Sequence, residues 1–220
     1  MSTFSREKYF EKHYPLIFQR GLIGSISNFM HRSMEIGMSG QGHEKILEIA
    51  AGHSNHQRFI KQGYQEYHET DIYIESLPKR SDSIKLKQFE LNANETSKLP
   101  SNYYDRIIVS CLLIHLNNPK EILNSWLHLL KPGGSLTILV PCEPGALLRF
   151  ARRISTVKKS QKLGIDYYSI HFSEHVTYFL RAKYYIDNLD GVKRVKWKYF
   201  PFGIPFWNIN LWTVAQIDKK

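Results

Sequence analysis

Two cysteines in 220 residues are too few for a disulfide framework or a cysteine-ligated zinc site. Cys111 and Cys142 each lie inside or at the end of an apolar run, where buried free thiols are expected. Long hydrophobic stretches are missing too: "IIVSCLLIHL" and "SLTILV" fall short of the roughly 20 apolar residues that a bilayer crossing needs. The opening "MSTFSREKYFEKHYPL" has no signal-peptide-like apolar core, so a cytoplasmic location is expected. No repeat or low-complexity tract interrupts the chain. Acidic residues are scarce, 20 Asp and Glu against 30 Lys and Arg, for a formal net charge of +10. That excess favours an anionic partner, whether nucleic acid, a phosphorylated small molecule or a membrane surface, and its sign does not choose among them.

A hydrophobic fraction of 42% and a charged fraction of 23% predict one well-buried domain rather than two independent cores. Residues 1–42 read as a helical cap, 43–142 as the core, 143–180 as a lid or substrate insertion, and 181–220 as a last helix and a hairpin. Helical spacing runs from about Phe4 to Met38, interrupted at Gly21 and Gly24. "KILEIA" is a short apolar strand, followed by the turn-like "AGHSN" and a predicted helix "HQRFIKQG" ending at Gly63. "YQEYHETDIY" predicts a second strand ending at Asp71, "IKLKQFEL" a third, and "DRIIVSCLLIHL" a buried fourth. "NPKEILNSWLHLLKPGGSL" reads as a helix with Pro119 near its start and a stop at Pro132 to Gly134, before the buried strand "LTILVPC". A basic helical segment from Ala146 to Lys159 follows, then a helix around Arg181 to Leu189. Strand-like "VKRVKWKYF" and "NINLWTVAQI" close the chain. Apolar strands alternating with helices predict a parallel sheet covered on both faces.

Ligands of open α/β sheets sit beyond the carboxyl ends of the strands. After the first strand comes Glu48, then the small residues Ala50, Ala51 and Gly52, which let a backbone approach a ligand closely. Asp71 follows Glu48 at a spacing near that of an acidic side chain accepting from both ribose hydroxyls of a nucleoside. Asn94 and Glu95 of "NANET" are available to the edge of a base.

The ordered pieces "LEIAAG", "ETDI", "NANETSKLP", "YDRIIVSCLLIHL", "LLKPGG" and "LTILVPC" resemble the class I S-adenosylmethionine-dependent methyltransferases over about Lys45 to Cys142. The two terminal strand-like segments fit the antiparallel hairpin that this family adds. The resemblance implies an α/β, doubly wound, mostly parallel, Rossmann-like sheet of seven strands with an antiparallel C-terminal hairpin and helices on both faces. It implies S-adenosyl-L-methionine as cofactor. Glu48 and the loop through Ala50 and Gly52 would hold its aminoacyl end, and Asp71, with Ile72 beside it, its ribose. Asn94 or Glu95 would meet the adenine amino group, with Ser110, Cys111 and Leu112 along its other side. The family pattern acidic-x-Gly-x-Gly-x-Gly is altered here to Ala50, Gly52 and Ser54. A position requiring positive φ would resist Ala or Ser.

His171, Glu174 and His175 in "IHFSEHVTYF" spell H-x-x-E-H, as in one class of zinc peptidase. That chemistry needs a further acidic ligand from another helix and a fold built around those helices, so no metal site is expected here. The same stretch resembles the H-x-x-x-F segment that many small-molecule methyltransferases carry facing the reaction centre. On that resemblance His175 is the candidate base, with Glu174, His171 and His115 as its rivals, and a histidine bonded to backbone as the bland alternative. His31 and Glu35 are spaced as an exposed i,i+4 pair.

The function expected is methyl transfer to a hydroxyl or amine of a small molecule such as a sugar, nucleotide sugar or other secondary metabolite. The basic stretch from Arg149 to Lys162 would read a phosphate on the acceptor, although a solvated helix face also explains it. A lipid or quinone acceptor is the alternative, drawn from the aromatic "YFPFGIPFWNINLW". Peripheral membrane contact is the less favoured reading of that tail. A non-catalytic methyltransferase-like binding subunit is the third reading, motivated by the altered glycine loop. No nucleic acid partner is expected, because "VPCEPG" lacks the Asn/Asp-Pro-Pro-aromatic segment that holds a flipped base.

Overall fold

The computed structural model describes residues 13–38, 42, 44–53, 56–61, 63–73 and 85–220. The expected helical onset before residue 13, the loop position Ser54 and the start of the third strand lie outside the described residues.

Seven strands form one sheet: β1 (Lys45–Ile49), β2 (Glu66–Asp71), β3 (Leu86–Glu90), β4 (Tyr104–Ser110), β5 (Leu130–Pro141), β6 (Val192–Phe200) and β7 (Trp212–Lys219). Their order is β3-β2-β1-β4-β5-β7-β6. The first five run parallel, and β7 lies antiparallel between β5 and β6. The chain leaves β1 in one direction and returns to β4 on its other side, so strand order reverses between them, where α/β sheets open a crevice.

Successive strand residues point to opposite faces, and each face has its own core. One holds Leu47, Ile49, Ile107, Val109, Leu136 and Ile138, covered by α3 (Pro119–Leu129) and α7 (Phe179–Asp187) through the fully buried Trp126 and Phe179. The other holds Ile46, Ile108, Leu139 and Val214, covered by α2 (Gly21–Met34) through Met34. A short α1 (Tyr14–Phe18) precedes α2. Trp212 Nε1 donates to Ser33 Oγ at 2.9 Å, and Gln216 Nε2 to the Ile36 carbonyl at 3.0 Å, fixing the end of α2 on β7.

Local readings shift in three places. Between β1 and β2 the expected helix is, among the described residues, a 3-10 turn at Gln57–Phe59. The helix before β5 stops at Leu129 rather than at the Pro-Gly-Gly, which lies in the irregular start of β5, where the register with β4 shifts. The basic segment extends further than predicted, as α4 (Ala146–Arg152), a π turn (Arg153–Val157) and α5 (Lys158–Lys162). After it comes α6 (Tyr167–Glu174), capped by the Asp166 carboxylate accepting from Ser169 N–H.

Candidate functional site

Two groups of side chains collect at the carboxyl ends of the parallel strands. The first surrounds the ends of β1 and β2. Glu48 is buried, and its Oε2 accepts from Tyr67 Oη at 2.6 Å. Burial, followed by the Glu48 charge and hydrogen bond, pushes the Tyr67 hydroxyl well above its ordinary range, so it stays a donor. Beyond Glu48 the chain turns sharply. Ala50 has φ 55° and Gly52 φ 58°. The altered Ala50 thus adopts the left-handed backbone that an L residue enters at a cost of about 1–2 kcal/mol. Asp71 Oδ2 accepts from the Gly52 N–H at 2.9 Å and Oδ1 from the Tyr73 N–H at 2.9 Å, while Ala51 N–H donates to the Thr70 carbonyl. The end of β2 therefore pins the loop after β1, and Ile72 lies exposed beside it.

This corner fits an adenosyl group. A Cβ added at Gly52 meets nothing within 4 Å, so the space above the loop is open. Each Asp71 oxygen spends one lone pair on a backbone N–H and retains another for a hydroxyl. Further along, Asn94 and Glu95 are both exposed. Glu95 pairs with Lys98 at 3.3 Å, while Asn94 lines a cleft of about 510 Å³ together with His115 and Asn118. Ser110 ends β4, and Cys111 follows it at φ 55°. Burial pushes its thiol up to about 12, which keeps it protonated.

The second group lies beyond β4 and β5 and gathers three of the four catalytic candidates around a residue that the sequence reading passed over. Glu143, two residues after β5, is 2% exposed. Its Oε2 lies 2.7 Å from His175 Nδ1 and 3.7 Å from His171 Nε2, and Oε1 pairs with the Arg152 guanidinium of α4. The His115 ring meets His175 edge to face at 4.8 Å between centroids, and the His171 ring lies 4.1 Å from it. Backbone bonds from Val176 and Thr177 to the Ile114 carbonyl, and from Phe179 to the Glu143 carbonyl, lock this segment onto the strand ends. Glu174 is not the partner of His175. Its backbone carbonyl is 3.0 Å from His115 Nδ1, and its carboxylate lies 3.9 Å from the same nitrogen.

Burial opposes ionisation of Glu143, but the His175 hydrogen bond and the Arg152 charge outweigh it and hold the carboxyl at about 2. Burial, then His175, lowers His171 to about 4, so it is neutral near pH 7. Ligand atoms of Glu143, His171 and His175 lie within 4.8 Å of one another, a spacing that a metal ion could use. The Arg152 guanidinium on the same carboxylate works against a cation there. Glu143 could have been found from the rule that functional groups follow parallel strands, since "VPCEPG" places an acid directly after β5.

The His31–Glu35 pair at the end of α2, expected to be exposed, is instead largely buried. Arg106, fully buried in β4, donates to both Glu35 oxygens at 3.0 and 2.8 Å. His56 Nε2 contacts Glu35 Oε1 at 2.8 Å, and the His31 and His56 Nδ1 atoms lie 3.2 Å apart. Helix spacing alone could not show this, because Arg106 and His56 come from other elements. The network joins α2 to the loop that follows the Gly52 turn.

Residues 47–138 match the family model described as a methyltransferase domain. No curated protein sequence matches the chain. Among solved structures, a protein from Pyrococcus horikoshii OT3 has a TM-score of 0.65 at 13% identity, covering 99% of this chain and 100% of its own. A SAM-dependent methyltransferase from Archaeoglobus fulgidus has a TM-score of 0.62 at 15% identity, with coverage of 92% and 96%. The N-methyltransferase NodS from Bradyrhizobium japonicum, solved with S-adenosyl-L-homocysteine, scores 0.62 at 12% identity, with coverage of 97% and 95%. The methyltransferase-domain match agrees with the cofactor that the resemblance implies, S-adenosylmethionine. Residues 47–138 thus carry the sequence of a methyltransferase domain, and the chain has along its length the fold of the solved methyltransferases it is similar to.

Proposed function

We propose that this methyltransferase acts on a hydroxyl or amine of a small molecule, with sugars and nucleotide sugars first among the candidates, and that His175 takes the acceptor's proton. The observation that carries the reading is the His175–Glu143 pair beyond β5, one strand over from the end of β4. Glu143 is held ionised, so it can only accept, and the proton between the two belongs on His175 Nδ1. In the neutral ring that leaves Nε2 with its lone pair for an incoming O–H or N–H. Arg152 holds the far oxygen of Glu143 and so fixes the plane of the carboxylate that orients His175. On this reading Glu143 is the positioning residue.

Asp71 would hold the cofactor's ribose, Glu48 and the Ala50–Gly52 loop its aminoacyl end, and Asn94, with Ser110 and Cys111, its base. The bound cofactor supplies an electrophilic methyl on a sulfonium whose leaving group departs neutral. The protein therefore has only to align the acceptor and receive one proton. His175 Nε2 would receive the proton that the acceptor oxygen or nitrogen gives up as it is methylated.

Titration calorimetry with S-adenosylhomocysteine tests the cofactor corner. A screen of phosphorylated sugars, sugar nucleotides and amines, read by S-adenosylhomocysteine release, tests the acceptor. Tight cofactor binding with no turnover on any acceptor in His175-intact protein would support the non-catalytic reading that the altered loop motivates.

A further inference from the structure

The α4, π-turn and α5 segments follow one another from residue 146 to 162, and residues 146–165 contain no Asp or Glu. Two of the cations in this stretch face inward: Arg152 holds Glu143, and Lys159 Nζ donates to the Ile17 carbonyl at 3.0 Å. Arg149, Arg153, Lys158 and Lys162 are exposed and have no ion pair among the described residues. A π turn takes more residues per revolution than an α turn, which keeps Lys158 and Lys162 on the side of the two arginines. Phe150 and Ile154 lie between these cations, 61% and 51% exposed. Phe172 of α6 adds a ring that is 68% exposed, and α6 packs against the π turn. Phe206, 51% exposed, sits in the β6–β7 connection, which is tied to the start of α4 by Ala146 N–H donating to Asn208 Oδ1 at 2.7 Å.

Exposed apolar groups gathered in a patch and rimmed by charged residues mark a surface that meets a protein or a membrane. We propose that this face docks on a bilayer surface carrying anionic lipid, with the four cations among the headgroups and Phe150, Ile154 and Phe172 at the acyl boundary. The charge pattern complements such a surface, and the apolar groups match the shallow insertion of an interfacial helix. A nucleic acid would use the cations but has no use for the aliphatic Ile154. The docked helix is also the one whose Arg152 holds Glu143, so docking would bring the His175 site next to the membrane. The docking proposal does not depend on the methyl-transfer reading.

Co-sedimentation of the full chain with vesicles tests it, comparing pure phosphatidylcholine with phosphatidylcholine containing one-third phosphatidylglycerol, at low and high salt. Capture by the anionic vesicles alone, weakened by salt, is the expected result. Arg149→Gln with Arg153→Gln should lower the partition constant roughly fivefold per charge, the equivalent of ~1 kcal/mol for each cation near an anionic surface. Phe150→Ser with Ile154→Ser should reduce it at least as much and remove the part of binding that survives high salt. All four positions are exposed, and an unchanged melting temperature verifies the fold of each variant. Absence of capture at low salt overturns the proposal, as does capture that both double variants retain. So does a single-stranded oligonucleotide that strips the protein from vesicles while the Phe150→Ser/Ile154→Ser protein binds that oligonucleotide like wild type.

Discussion

His175 Nδ1 lies 2.7 Å from Glu143 Oε2, although 32 positions separate the two residues in the chain. The contact joins the segment after α6 to the end of β5 and puts an imidazole under the control of a buried, ionised carboxylate. His175→Ala should lower kcat roughly 100-fold or more, the range of a lost general base. Glu143→Gln should lower it on the order of tenfold to a hundredfold. Cofactor affinity measured by calorimetry should stay near wild type in both. A fall in cofactor affinity with kcat preserved would assign the pair to structure instead.

Asp71 ties two backbone N–H groups to one carboxylate, each bond worth about 1.5–3 kcal/mol for a charged acceptor. Asp71→Ala should therefore weaken S-adenosylhomocysteine binding at least tenfold or so, through loosening of the Gly52 turn as well as loss of the proposed ribose contact. Calorimetric titration of a folded variant that binds like wild type would remove Asp71 from the cofactor site.

The buried Arg106–Glu35 pair makes a stability prediction. Replacing Arg106 with Leu strands an ionised Glu35 beneath α2. Burial raises that carboxyl, but its bonds to His56 and Arg106 hold it at about 2. Breaking such a pair costs about 3–5 kcal/mol. Urea unfolding should show that loss in Arg106→Leu, with partial recovery in Arg106→Leu/Glu35→Leu, where neither charge remains.

Acid should destabilise the protein well before its carboxylates titrate. Burial, then the charges of His56 and Arg58, lowers His31 to about 3, and burial with its His175 neighbour lowers His171 to about 4. Between these values and the ordinary 6.5 the unfolded chain binds more protons than the native one, so stability falls as pH falls. The histidine contribution is complete above about pH 6.5. At pH 5 the cost from His31 alone is roughly 2 kcal/mol. Melting temperatures should drop steadily from pH 7 to 5, with a shallower slope in His31→Gln. Glu35 and Glu143 add a second loss from about 4.5 down to 2.

Chelation separates the hydrogen-bonded reading of Glu143, His171 and His175 from a metal-bound one. With Arg152 on the same carboxylate, turnover should survive EDTA dialysis unchanged. Activity lost on dialysis, restored by zinc, and not restored in His171→Ala would make the cluster a metal centre.

What the sequence determined was local and ordered along the chain. Apolar strands, helix punctuation at Pro119, the small residues after Glu48 and the acid at the end of β2 are properties of neighbouring residues, and they carry the mostly parallel sheet and the open corner between the ends of β1 and β2. The seven-stranded order, with its antiparallel hairpin, follows that pattern. The tertiary structure alone decided which charges meet. Glu174 is next to His175 in sequence, yet its carboxylate lies against His115 because the chain leaves its helical course at His175, the C-cap of α6. Glu143 reaches His175 because β5 ends where that segment crosses back over the sheet, and the spacing that predicted an exposed His31–Glu35 pair could not reveal the Arg106 opposite it. Contacts of this kind depend on crossovers and strand register between distant positions, which no window of the sequence contains.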